Sequence, residues 1–302
     1  MRALTRRTLL SLGGASALVG ATAASIEHDL LPGRVQLHET LGLNGTPGAF
    51  PTTEPGRVDY GSFRSQARGG LETGFAIAYP PGGQTKSLPV VVALHMLKRS
   101  HRELFGPKMV LDQFLAEAVA RGAPAFAIAA PDGGNTYWHR RPWGEDAGAM
   151  VVDEFLPMLA RRGLDTSRIG LLGWSMGGYG ALRLGGLLGP ERVAAISVAA
   201  PAIWSDPDEF SPSGFATAEE YAEFTVFGQQ RRLRGIPVRI DCGEGDPFYR
   251  SVQAYAEELR AVGGARKVAE FQPGAHEPGF WRRVLPSQLD FLSGYLAAPI
   301  TN

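Results

Sequence analysis

The stretch IGLLGWSMGGYGA, residues 169–181, decides how this chain is read. An apolar run ending at Leu172 passes into Gly173-Trp174-Ser175-Met176-Gly177 and then into the small-residue segment YGALRLGGLL, residues 179–188. A buried strand, Gly-x-Ser-x-Gly and a close-packed helix in that order form the pattern of a nucleophile elbow. The serine sits on a turn too sharp for ordinary dihedrals. Glycines two before and two after it remove the Cβ atoms that would strike the adjoining strand and helix. With 39 glycines among 302 residues the bare pentapeptide is weak, and the flanking strand and helix give it its weight.

Outward from Ser175, strand-like and helix-like segments alternate. Residues 88–94 (LPVVVAL), 125–130, 193–199, 236–241 and 267–271 read as strands; 109–121, 148–162, 252–262 and 281–296 read as helices. Residues 58–67 and 74–79 read as two strands of a hairpin, closed by Pro80-Pro81-Gly82-Gly83. An antiparallel start followed by repeated strand-helix units predicts an α/β protein, its mostly parallel central sheet covered by helices on both faces.

Composition narrows the class. Thirty basic and thirty acidic residues give zero net charge, and no basic run exceeds Arg231-Arg232-Leu233-Arg234. Nucleic acid is therefore not the expected partner, and a small molecule is. The single cysteine, Cys242, can form no internal disulfide, and no His/Cys spacing suggests a metal. Arg2, Arg6 and Arg7 precede an apolar run over 9–24 that ends in Ala21-Thr22-Ala23, the small-x-small pattern of a signal-peptidase site. Residues 1–24 are thus expected to be an export signal, twin-arginine-like in TRRTLL, and too short and glycine-rich to span a membrane in the mature protein. Residues 25–56, rich in Gly, Pro and Thr, read as an extended linker or arm, and 57–297 as the catalytic domain.

A serine alcohol needs a base to take its proton and an acid to hold that base in the right tautomer. His276, in the loop after the last expected strand, is the only histidine after Ser175. The turn after the strand at 236–241 carries Glu244 and Asp246. Asp246, on the distal arm, is the preferred acid, with Glu244 the alternative and a helix N-cap its plain structural role. An oxyanion needs two backbone donors: one expected from Met176, the other from the loop His95-Met96-Leu97-Lys98-Arg99, at Leu97. His95 itself is read as a structural histidine bracing that loop.

Those residues carry a resemblance. AYPPG (78–82), HMLKR (95–99), PDGGNTYWHRRPWGED (131–146), VDEFLP (152–157), GWSMGGYGA (173–181), IDCGEGDPF (240–248) and PGAHEPGFW (273–281) resemble the esterase D and mycolyltransferase-antigen branch of the α/β-hydrolases across residues 57–297. The resemblance implies the α/β-hydrolase fold, a triad of Ser175, Asp246 and His276, and an oxyanion hole at Leu97 and Met176. IDCGEGDPF lies nearer the esterase D side, since mycolyltransferases place their acid elsewhere. The expected activity is hydrolysis of a small acyl ester or lipid-like substrate without a cofactor. A cell-envelope acyltransferase using the same triad, and a non-catalytic hydrolase homologue, are the alternatives. Residues 204–235 are long enough for a partial cap, and Trp138, Trp143 and Trp174 are expected to contact substrate.

Overall fold

A computed structural model of the chain describes residues 22, 24–27, 33–82 and 87–297, so the expected export signal lies almost wholly outside the described residues. The apolar runs form one eight-stranded sheet in the order β1-β2-β4-β3-β5-β6-β7-β8. β1 (Val58–Ser65) and β2 (Leu71–Ala78) pair antiparallel, and β2 pairs antiparallel with β4 (Ala127–Pro131). All further pairings are parallel: β4 with β3 (Pro89–Leu94), then β5 (Asp165–Trp174), β6 (Val193–Ala199), β7 (Val238–Gly243) and β8 (Lys267–Gln272). The architecture is the one expected from the sequence. One turn differs. The hairpin closes at residues 66–70, where Gly69 and Gly70 take φ of 69° and 83°, whereas Pro80-Pro81-Gly82 carries the chain out of β2.

Side chains alternate along the strands and so build two buried layers. Val90, Val92 and Leu94 enter one layer and Val91 and Ala93 the other. The second layer is closed by α3 (Leu111–Ala120) and α9 (Pro278–Leu296), through Phe114, Leu115, Trp281, Leu285 and Leu289. The first is closed by α6 (Met176–Leu188), α8 (Tyr249–Arg260) and a helical run made of α4 (Ala147–Ala149), a π-helical stretch (Met150–Phe155) and α5 (Leu156–Arg161). The widened turns end at Phe155, two residues before Pro157, which has no N–H to close a regular turn.

The stretch expected to be extended at 25–56 contains a helix, α1 (Arg34–Thr40), and lies against the domain. Arg34 Nε donates to the Glu244 carbonyl at 2.7 Å, Gly48 N–H donates to the Gly279 carbonyl at 2.8 Å, and Arg283 Nη1 reaches the Thr46 carbonyl at 2.7 Å. Every parallel strand sends its carboxyl end to the same edge of the sheet, and the loops gathered there hold the site.

Candidate active site

Ser175 ends β5 and precedes α6 with φ 53° and ψ −122°, a conformation that costs a non-glycine residue free energy and turns the side chain out of the strand. The flanking glycines are sterically required. A Cβ on Gly177 would lie 1.9 Å from the Leu94 carbonyl oxygen, and one on Gly173 would lie 2.2 Å from that of Gly177. The turn is pinned on both sides: Ser175 N–H donates to the Ala199 carbonyl at 3.1 Å, and its own carbonyl accepts Ala202 N–H at 2.9 Å.

His276, in the loop between β8 and α9, brings Nε2 to 2.8 Å from Ser175 Oγ and Nδ1 to 2.7 Å from Asp246 Oδ2. An ionised carboxylate only accepts, so Nδ1 carries the proton and Nε2 is left to accept from the serine hydroxyl. The ring sits between Phe248 and Trp281, at centroid distances of 5.4 and 5.3 Å. Asp246 is 2% exposed, and its other oxygen accepts Phe248 N–H at 2.8 Å. One carboxylate thus orients the imidazole and also caps the turn that leads into α8. Both imidazole nitrogens being taken, Glu244 is not the acid that the structure brings to His276. Its backbone instead receives Arg34 and donates to the Gln272 carbonyl at 2.9 Å.

Met176 opens α6, so its N–H has no carbonyl of a preceding helical turn to donate to. Leu97 stands on the wall of the same cavity, in a loop braced from behind by fully buried His95. The His95 ring accepts Gly133 N–H at Nε2, 3.0 Å away, holds Nδ1 2.8 Å from the Met96 carbonyl, and meets Trp138 edge-on at 5.1 Å. Asn135 Oδ1 accepts Lys98 N–H at 2.7 Å and ties the two loops together a second time.

A cavity of about 750 Å³ opens at Ser175 and His276, walled by Met96, Leu97, Tyr137, Trp204, Phe248 and Trp281. None of the three tryptophans expected to contact substrate lines it. Trp174 is fully buried: it shares strand parity with Leu172 and enters the layer under α3 and α9. Trp138 is also fully buried, its ring lying flat where a Cβ on Gly133 or Gly180 would come within 2.6 or 2.5 Å of it. Tyr137 and Trp138 both have positive φ, 54° and 56°, and the chain reversal there aims Tyr137 rather than Trp138 at the cavity. Trp143 is 59% exposed, covered on one face by Arg141 and hydrogen-bonded to Glu145 at 2.9 Å. The walls that sequence reading missed belong to elements it had marked for other reasons: Trp204 opens the 204–235 insertion, and Trp281 follows His276 by five residues.

The insertion carries α7 (Ala218–Phe224) and is fastened by a buried charge cluster. Glu220 Oε1 stands 3.1 Å from His139 Nε2 and 3.3 Å from Arg141 Nη1, and Arg141 also donates to the Gly214 carbonyl. His139 stacks between Phe215 and Phe224 at 5.2 and 4.6 Å. Burial is the largest influence on its pKa and lowers it to about 4, with Arg141 and Arg183 adding to the effect and the Glu220 hydrogen bond opposing it. Tyr221 donates to the Trp204 carbonyl at 2.6 Å, which ties the cavity wall to the anchored helix. Among the described residues no group of three or more His, Cys, Asp or Glu side chains is placed to hold a metal ion.

Residues 66–290 match the family model Esterase, described as "Putative esterase". No curated protein matches the chain. Among solved structures, an S-formylglutathione hydrolase from Agrobacterium tumefaciens is 19% identical, with a TM-score of 0.68 over 84% of this chain and 100% of its own. A ferulic acid esterase is 20% identical, with a TM-score of 0.67 over 79% of this chain and 98% of its own. A fluorophosphonate-binding serine hydrolase of Staphylococcus aureus is 16% identical, with a TM-score of 0.65 over 80% and 99%. At these identities the likeness is one of fold.

Proposed function

We propose, because the chain belongs to the esterase family of α/β-hydrolases, that it cleaves carboxylic esters through an acyl-enzyme on Ser175. The observation that carries this reading is the unbroken line from Ser175 Oγ to His276 Nε2, 2.8 Å, and from His276 Nδ1 to Asp246 Oδ2, 2.7 Å. His276 takes the serine proton as Oγ attacks the ester carbonyl, and Asp246 stabilises the imidazolium that forms. The N–H groups of Met176 and Leu97 receive the negative charge on the carbonyl oxygen. The tetrahedral intermediate collapses with the C–O bond to the alcohol breaking, and His276 Nε2 returns its proton to the departing alkoxide. Water then attacks the acyl-serine, again with His276 as base, and releases the acid.

Export belongs to the same reading. Arg6-Arg7 and the apolar run that follows support passage through a twin-arginine route, with cleavage near residue 24. Among the described residues no helix is long and apolar enough to cross a membrane. Hydrolysis of 4-nitrophenyl butyrate tests the chemistry. The reading expects Ser175-dependent release of nitrophenol, with a loss in kcat on the order of 10⁵ in Ser175→Ala. Turnover that survives Ser175→Ala would refute it.

A further inference from the structure

The cavity at Ser175 is not uniform. Near His276 its walls are aromatic and aliphatic, but the segment after β3 brings Arg99, Arg102 and Lys108 to the same space, with one carboxylate, Glu103, among them. That carboxylate is already committed. Glu103 Oε2 accepts both the backbone N–H of Ser100, at 2.9 Å, and its hydroxyl, at 2.7 Å, in the capping box of α2 (His101–Leu104). Burial pushes the Glu103 pKa up, but these hydrogen bonds and the nearby Arg99 charge outweigh it and hold the carboxyl below its ordinary value. The group therefore stays ionised as a local partner for Ser100. Arg102 is held with its guanidinium 5.1 Å from the ring centre of Tyr60, which leaves its charge undiminished. Three cations against one engaged anion leave that part of an otherwise apolar cavity wall positive. Three solvated cations around a pocket favour a ligand that brings the opposite charge.

Resting on the esterase reading above, we propose that the substrates are esters carrying an anionic group, a carboxylate or its equivalent, at the end remote from the scissile carbonyl. The apolar walls receive the linking carbon chain, Ser175 and His276 receive the carbonyl, and Arg99, Arg102 and Lys108 receive the anion. The three cations are exposed, so each contributes modestly and their effect is screened by salt. Together they are expected to favour an anionic ester over a neutral one of equal length by about tenfold in kcat/KM.

The test compares two matched pairs at low ionic strength. On the acyl side these are the mono-4-nitrophenyl ester of glutaric acid and 4-nitrophenyl hexanoate. On the alcohol side they are 3-acetoxybenzoate and its methyl ester. Each is measured with the wild type, with Ser175→Ala, and with the triple variant Arg99→Gln/Arg102→Gln/Lys108→Gln, whose folding is checked by circular dichroism and thermal melting. The expected result is an anionic-to-neutral ratio near ten in at least one pair, which falls towards one in the triple variant and in 0.5 M NaCl. The pair that shows it assigns the anion to the acyl or the alcohol side. Ser175-dependent turnover with a ratio near one in both pairs, or a high ratio that the triple variant keeps, overturns the anionic-substrate inference alone. Absence of Ser175-dependent turnover of all four esters overturns the esterase reading and the inference with it.

Discussion

Asp246 has two duties, and they separate it from Glu244. One oxygen faces His276 Nδ1 at 2.7 Å and the other accepts Phe248 N–H at 2.8 Å, whereas Glu244 engages its neighbours through backbone groups. An amide at position 246 keeps the shape and the Phe248 contact but can present an N–H to the imidazole and favour the wrong tautomer. Asp246→Asn is therefore expected to lower kcat by a factor of about 10³ to 10⁴ with little change in KM. Glu244→Gln, in the same assay, is expected to stay within about twofold of the wild type. A comparable loss in both variants would show that the loop, not the carboxylate at 246, is what matters.

Two elements outside the sheet edge bear on the site. The 204–235 insertion is held by Glu220 between His139 and Arg141, and His139 has its pKa lowered from 6.5 to about 4 by burial. Between those two pH values the unfolded chain binds a proton that the folded chain refuses. The stability that a neutral buried His139 contributes is therefore full above pH 6.5 and is lost as the pH falls towards 4. Thermal melts across that window should fall more steeply for the wild type than for His139→Gln, which can still donate to Glu220 but does not titrate; parallel curves would contradict the account. The N-terminal arm is the other element. A Cβ at Gly48 would lie 2.2 Å from the backbone N of Arg283, and one at Gly245, in the acid loop, would lie 2.4 Å from Asn44 of the arm. Gly48→Ala should lift the arm off α9, expose it to limited proteolysis and lower kcat/KM by about three- to tenfold through the loosened Asp246 and His276 loops. Unchanged cleavage and activity would make the arm a passive covering.

At the scale of the whole molecule, the succession of strands and helices along the chain and the Ser175 turn were legible because both are written in local signals. Apolar runs of strand length are punctuated by glycines whose absent Cβ atoms the fold requires, as at Gly173 and Gly177. The closing turn of the first hairpin was misplaced because Gly69 and Gly70 speak more softly than Pro80-Pro81-Gly82-Gly83, although only the former pair makes the reversal. The cavity walls were not legible. Whether Tyr137 or Trp138 faces the substrate depends on two consecutive positive φ values, and the direction of Trp174 depends on the parity of β5; neither is a property of composition. Trp204 and Trp281 reach the same cavity from stretches of chain far apart in sequence, and only the tertiary fold brings them together. The central claim joins all three scales: Ser175 is a nucleophile activated through His276 in this fold. It is tested most directly by labelling the protein with a fluorophosphonate probe and mapping the modified residue by mass spectrometry. The account predicts one adduct, on Ser175, absent in Ser175→Ala and strongly slowed in His276→Ala. A wild-type protein that takes no label at Ser175, or that labels equally fast without His276, would contradict it.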